Sequence, residues 1–134
     1  MATGGIWNFA DVNATLMADE GERLRWAWLA HGEHSTVDAF YMAPGGSEEG
    51  FRHYHAAHDE ILFIVNGTGT FMLDGDEQPI GPGTVIFVPR GTHHEPKLPE
   101  GGSMLSVYAP AFDLAHPDRV FLDAHGNPRE TQPA

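Results

Sequence analysis

Short apolar runs separated by turn residues fill most of the chain. The runs are about four to eight residues long, and Asn-Gly, Asp-Gly and Gly-Pro-Gly at residues 66–67, 74–75 and 81–83 are clear separators. This pattern is typical of an all-β sandwich or barrel. We predict strands near residues 23–30, 35–43, 51–55, 60–65, 69–74, 77–80, 84–88, 93–97 and 103–109.

The two ends of the chain depart from this pattern. Residues 8–17 are weakly helical in character, so we predict a short helical segment there. From Pro110 the alternation fades, and we expect an irregular tail over 110–134 that packs across the domain or frays. A chain of 134 residues suits one domain, which we place over 1–134 with its barrel core at about 23–109.

Composition narrows the class of protein. The chain has no Cys, which excludes disulfides and thiolate metal sites, so a metal site must use His and carboxylate. A formal charge of −12 with seven Lys and Arg argues against nucleic acid as a partner. The apolar run at residues 61–65 is far shorter than the roughly 20 residues of a membrane span, and the N-terminus lacks a secretory-signal pattern. We expect a cytoplasmic protein with no membrane partner.

Four residues with metal-binding side chains fall on the predicted strands. His53 and His55 are two apart, so both project from the same face of an extended strand. Glu60 comes from the next strand and His94 from a later one. Three nitrogen donors and one carboxylate suit a divalent first-row metal and leave positions open for water, dioxygen or substrate. We therefore predict a metal site at these four residues.

The order and spacing of these residues resemble the two motifs of the cupin family. The first motif is His-x-His, four residues, Glu, six residues, Gly, and the second is Gly, five residues, Pro-x-Gly, two residues, His. They correspond here to His53, His55, Glu60 and Gly67, and to Gly83, Pro89, Gly91 and His94. The resemblance implies an all-β fold, a double-stranded β-helix or jelly-roll barrel, with one divalent transition-metal ion bound inside by three His and one Glu. Small cupins often pair edge strands, so it also implies a homodimer.

A pocket around the metal is expected from strand alternation. Alternate residues of a barrel strand point inward, and Phe51 shares its parity with the two His residues that follow it. Apolar and aromatic walls suit a small organic substrate. The predicted substrate pocket is Trp26, Trp28, Phe40, Met42, Phe51 and Tyr108.

Two further His residues lie near the proposed ligands. Strand alternation turns His93 outward, because it neighbours the inward His94. His58 lies in the turn between two ligand strands, where we expect surface exposure, although a role behind the ligands or at the entrance stays open. Neither is assigned as a ligand.

The resemblance leaves three functions open. The favoured one is a metal-dependent oxidoreductase of dioxygenase type that acts on a small organic substrate with Fe, Mn or Ni. The second is a redox-neutral lyase, isomerase or polyketide cyclase, in which Glu60 or a Tyr acts as the base. The third is a non-catalytic binding or sensor protein. The same four ligands accept Fe, Mn, Ni, Zn or Cu, so the sequence does not identify the ion.

Overall fold

The computed structural model describes residues 4–15, 17–18, 24–45, 52–113, 115–116, 118–123 and 125–129. Within these residues the chain forms one 3₁₀ helix, Phe9–Thr15, and eleven β-strands. The strands are β1 (Met17–Ala18), β2 (Leu24–His31), β3 (Thr36–Met42), β4 (His53–His55), β5 (Asp59–Asn66), β6 (Gly69–Leu73), β7 (Asp76–Ile80), β8 (Val85–Val88), β9 (His94–Lys97), β10 (Gly102–Ala109) and β11 (Arg119–Phe121).

The strands form two antiparallel sheets. One has six strands in the order β1-β2-β3-β10-β5-β8, and the other has five in the order β11-β4-β9-β6-β7. Neighbours such as β3 and β10, or β6 and β9, are far apart in sequence, so the chain crosses repeatedly between the sheets, as in a jelly roll. The predicted all-β, double-sheet architecture is confirmed.

The core lies between the sheets because apolar and exposed positions alternate along the strands. On β5, Leu62 and Ile64 are buried, whereas Ile61 and Phe63 between them are exposed. Strand β8 repeats this pattern, with its second and fourth residues buried. The main cluster of buried residues is Leu24, Met42, Leu62, Ile64, Phe71, Ile80, Ile86, Val88, Leu98 and Met104.

The N-terminal segment covers part of the outer face of the six-stranded sheet. Val12 packs against Ala27 and Ala39, and the Phe9 ring stacks on Tyr41 with 5.3 Å between ring centroids. The predicted helical segment at 8–17 is therefore a short 3₁₀ helix, after which the chain extends to form β1. Among the described residues, no helix is long and apolar enough to cross a membrane.

A strand from the C-terminal tail completes the five-stranded sheet. Within its described residues the tail is irregular apart from β11 and one bridge between Leu122 and Pro128. Strand β11 pairs with β4, and the sequence did not predict it. In this pair Arg119 lies opposite His55, and Phe121 lies opposite His53. The tail therefore contributes side chains beside two of the predicted metal ligands.

Candidate metal centre

Facing strands of the two sheets bring the four predicted ligands together. His53 and His55 lie on β4, and His53 is the direct cross-strand partner of His94 on β9. Glu60 lies on β5 of the opposite sheet. His55, His94 and Glu60 are buried, and His53 is partly exposed. The site thus has three imidazoles on one wall and a carboxylate on the other.

The distances within this cluster are compatible with one shared ion. The ligand atoms of the four residues all lie within 4.8 Å of one another. Nε2 of His94 lies 3.2 Å from Oε1 of Glu60, and Nε2 of His55 lies 3.6 Å from the same oxygen. Metal bonds of about 2.1 Å place adjacent donors about 3 Å apart and opposite donors about 4.2 Å apart.

The donor atoms themselves fit a metal, because they are buried and otherwise unused. Nε2 of His55, Nε2 of His94 and Oε1 of Glu60 have no hydrogen-bond partner among the described residues. Each of the two Nδ1 atoms faces an oxygen that can only accept. Nδ1 of His94 donates to the Thr92 carbonyl at 2.9 Å, and Nδ1 of His55 donates to the Asp118 carboxylate at 3.1 Å. Both Nε2 lone pairs are therefore directed at the position that an ion would take.

The charge state of Glu60 suits an anionic ligand. Burial by itself raises the pKa of Glu60, but the imidazoles of His94 and His55 beside its carboxylate outweigh this effect. The pKa of Glu60 falls to about 2, so the carboxylate is ionised at neutral pH.

Asp118 supports the site from the C-terminal tail and was missed by the sequence prediction. Its Oδ1 accepts from His55, and its Oδ2 lies 2.6 Å from Nδ1 of His58 and 2.8 Å from the amide nitrogen of Ala57. Burial raises the pKa of Asp118, but these hydrogen bonds lower it to well below its usual range. An ionised Asp118 therefore fixes the tautomer and orientation of His55.

The two unassigned His residues have different surroundings. His93 stacks on Tyr54, with 5.2 Å between ring centroids, and lies away from the ligand cluster. His58 is buried, so our expectation of surface exposure was wrong. The tail covers it, because its two ring nitrogens face Asp118 and the carbonyl of Ala111 at 3.3 Å.

A cavity opens beside the cluster. The space within it, including its open mouth, is about 390 Å³, and its lining is mostly apolar. Three residues of the predicted pocket, Phe40, Met42 and Tyr108, line it. The described residues that line it are Leu24, Phe40, Met42, His53, Glu60, Leu62, His94, Pro96, Met104, Ser106, Tyr108, Arg119 and Phe121.

The remaining predicted pocket residues lie elsewhere. Trp26 lies opposite Phe40 on the neighbouring strand, with 6.3 Å between the ring centroids. Trp28 packs on Tyr108 and Phe112 at centroid distances of 6.0 and 5.2 Å. Neither indole lines the cavity. Phe51 lies outside the described residues.

Arg119 and Phe121 are lining residues that the sequence prediction missed. Both come from β11, which has only three residues. The one signal in the sequence was their spacing of two, which places them on the same face of an extended segment. Such a short pattern is too common to have identified them.

Comparison with known proteins places this site in a family. The family model for the Cupin domain matches residues 39–108. The chain is 30% identical to the quercetin 2,3-dioxygenase of Bacillus subtilis (strain 168) over 90 residues, which are 62% of this chain and 27% of that enzyme. The chain spans less than two thirds of the length of the curated relatives that it matches.

Solved structures confirm the double-sheet cupin fold. KdgF from Halomonas sp. superposes with a TM-score of 0.68 at 21% identity and covers 85% of this chain and 100% of its own. An RmlC-like cupin from Shewanella frigidimarina NCIMB 400 has a TM-score of 0.67 at 22% identity and covers 82% of this chain and 94% of its own. Identities this low support the fold and carry no statement about activity.

Proposed function

The chain belongs to the cupin family, and on that premise we propose that it is a metal-dependent dioxygenase acting on a small organic substrate. The observation that carries this proposal is the set of buried, unpaired donor atoms of His55, His94 and Glu60 beside a largely apolar cavity. With His53 they would hold one divalent ion. The ion would supply open coordination positions and, when redox-active, electrons for a reaction with dioxygen.

The other residues around the cavity have distinct proposed roles in binding the substrate and supporting the metal. Phe40, Met42 and Leu62 would hold the apolar body of the substrate and exclude water from it. Burial, and then the charges of Glu60 and Asp38, raise the pKa of Tyr108 well above its ordinary value, so its hydroxyl stays protonated and donates to the Glu60 carboxylate. Glu60, with a pKa of about 2, is a weak base near neutral pH, which favours a ligand role over the catalytic-base role.

The relative's substrate gives a first probe for the activity. Metal-free protein is loaded with Fe(II), Mn(II), Ni(II) or Zn(II), and oxygen uptake is followed with quercetin and a panel of catechols and enols. We expect one redox-active metal to support uptake of about one dioxygen per substrate consumed, and Zn(II) to support none. Two results would contradict the proposal. One is turnover that proceeds equally with Zn(II) and under nitrogen, and the other is a lack of oxygen uptake with any metal across the panel.

Redox-neutral lyase, isomerase or cyclase chemistry is the second candidate, and the buried acids near the cavity favour it. Burial, and then the charge of Glu60, raise the pKa of Asp38 well above its usual range. Asp38 lies opposite Ser106, which lines the cavity. A protonated Asp38 and Tyr108 are proton donors of the kind that such reactions need. Turnover with Zn(II) and without dioxygen is the result that this candidate predicts.

We further propose that the protein forms a homodimer through the outer face of β5 and β8. Ile61, Phe63, Val85 and Phe87 are exposed there by 44%, 42%, 64% and 55%. Ile61 lies opposite Phe87 and Phe63 opposite Val85, so the four form one patch, and β8 ends its sheet. Contiguous apolar patches at a sheet edge favour association.

Sedimentation analysis tests the dimer. We expect the wild type to have twice the chain mass of 14.6 kDa, and Phe87→Lys to shift it to the monomer. Gln78→Lys, on the exposed strand β7, is the control and should stay dimeric. A monomeric wild type would refute the assignment.

A further inference from the structure

Arg119 puts a positive charge on the wall of the proposed metal site. Directly opposed residues of an antiparallel pair project to the same side, and Arg119 lies opposite His55 as Phe121 lies opposite His53. Arg119 also lines the cavity together with Glu60. Its guanidinium therefore belongs to the same chamber as the ligand cluster.

Two aromatic rings hold this guanidinium in place. Its central carbon lies 5.8 Å from the Trp26 ring centroid and 5.5 Å from that of Phe121. Such contacts use the faces of the rings and leave the N–H donors available. In the part of the chain that the structure describes, Arg119 makes no ion pair and no hydrogen bond, whereas Arg52 and Arg90 each lie within 4 Å of a carboxylate. Arg119 therefore presents pre-oriented N–H donors that no acceptor among the described residues engages.

The charges around the cavity favour an anionic substrate. Of the described residues that line it, Glu60 is the one carboxylate and Arg119 the one guanidinium. A divalent ion would outweigh the single negative charge of Glu60, so the chamber would already be positive without the charge of Arg119. Uncompensated charge in an apolar chamber is costly, so a substrate that brings a negative group is favoured over a neutral one.

We propose that Arg119 binds a carboxylate of the substrate, which makes the substrate a small organic acid with an apolar body. The planar guanidinium matches a carboxylate with two parallel hydrogen bonds, a geometry that Lys cannot reproduce. The apolar body would lie against Phe40 and Met42, which line the same cavity. This inference rests on the proposed function, because it concerns the substrate of the same site.

Calorimetric titration of the metal-free full-length protein tests the inference without using turnover. Benzoate and benzamide are the probes, since they have nearly the same shape and differ in charge. We expect the wild type to bind benzoate at least about tenfold more tightly than benzamide, Arg119→Gln to lose this preference, and Arg119→Lys to retain part of it. Arg129→Gln is the matched control, because Arg129 lies 5.5 Å from the same Phe121 ring but donates to the carbonyl of Leu122. It should retain the preference.

Three results would overturn the inference: equal binding of the two probes by the wild type, no saturable binding of benzoate, or a preference that survives in Arg119→Gln. Circular dichroism of each variant shows whether it is folded. If Arg119→Gln does not fold, Arg119→Lys keeps the test informative. The metal content of the same samples after reconstitution is measured in parallel. If the proposed function fails but Arg119 does bind a carboxylate, the wild type will bind no metal and take up no oxygen but will still prefer benzoate. The two failures are therefore distinguishable.

Discussion

Replacing Asp118 with Asn should weaken metal binding although Asp118 is not a ligand. The carboxylate uses both oxygens, Oδ1 for His55 and Oδ2 for His58 and the Ala57 amide. Asn has only one oxygen. We expect that oxygen to take the Oδ2 position, where two donors meet, and the amide nitrogen then faces Nδ1 of His55. This favours the His55 tautomer that carries its proton on Nε2, the atom that must bind the metal.

The magnitude follows from the cost of restoring the metal-binding tautomer. In the variant, the metal-binding tautomer lacks the hydrogen bond that His55 makes to the ionised Asp118 in the wild type, and such a bond is worth about 1.5–3 kcal/mol. Metal affinity should therefore fall by about 10- to 100-fold, as for other residues that orient a ligand. Competition of the protein with a fluorescent chelator for Zn(II) measures this affinity.

The matched control is Asp113→Asn, which removes a carboxylate that pairs with His116 at 2.8 Å on the surface. Its metal affinity should equal that of the wild type. Thermal melting of the metal-free variants separates lost orientation from lost folding. A metal affinity of Asp118→Asn within about twofold of the wild type would refute the reasoning, because it would mean that Asp118 does not set the tautomer of His55.

Three more outcomes follow from the site and its scaffold. Because the pKa of Glu60 is about 2, this carboxylate does not titrate between pH 7 and 5, and metal affinity should fall on acidification because protons compete with the ion for the imidazole ligands; a flat profile would exclude His ligands. Glu60→Gln should weaken metal binding and should also lower the melting temperature of the metal-free protein at neutral pH, because a pKa of about 2 means that the ionised carboxylate stabilises the fold, whereas His93→Gln should change neither; the opposite order would remove Glu60 from the ligand set. Gly69→Ala should destabilise the protein strongly, because the new Cβ would lie 1.8 Å from the carbonyl oxygen of Lys97, whereas Gly81→Ala meets only an ordinary contact at 3.7 Å; equal denaturant midpoints would contradict this.

The ligand-bearing strands could be predicted because their side chains alternate between a core and an exposed face. On β5, Leu62 and Ile64 point inward with Glu60, and Ile61 and Phe63 point outward. A one-residue shift in register would reverse every one of these environments, so the sequence pattern is strongly constrained. The spacing of the ligands carries the same information.

The contribution of the tail could not be predicted in this way. Strand β11 has three residues, too few for a periodic pattern, and its pairing with β4 joins residues about 60 positions apart. Nothing local identifies Asp118 as the partner of His55 or Arg119 as a lining residue. The burial of His58 escaped prediction for the same reason, because residues of the tail cover it.

The proposed metal centre requires four residues to hold one ion together: His53, His55, Glu60 and His94. Elemental analysis after reconstitution and desalting should find about one divalent ion per chain in the wild type and none in the double variant His55→Ala/His94→Ala. The control His93→Ala/His116→Ala should bind as the wild type does, and circular dichroism should show a β-rich fold in all three. A wild type that binds no ion, or a His55→Ala/His94→Ala variant that still binds about one per chain, would contradict the metal centre.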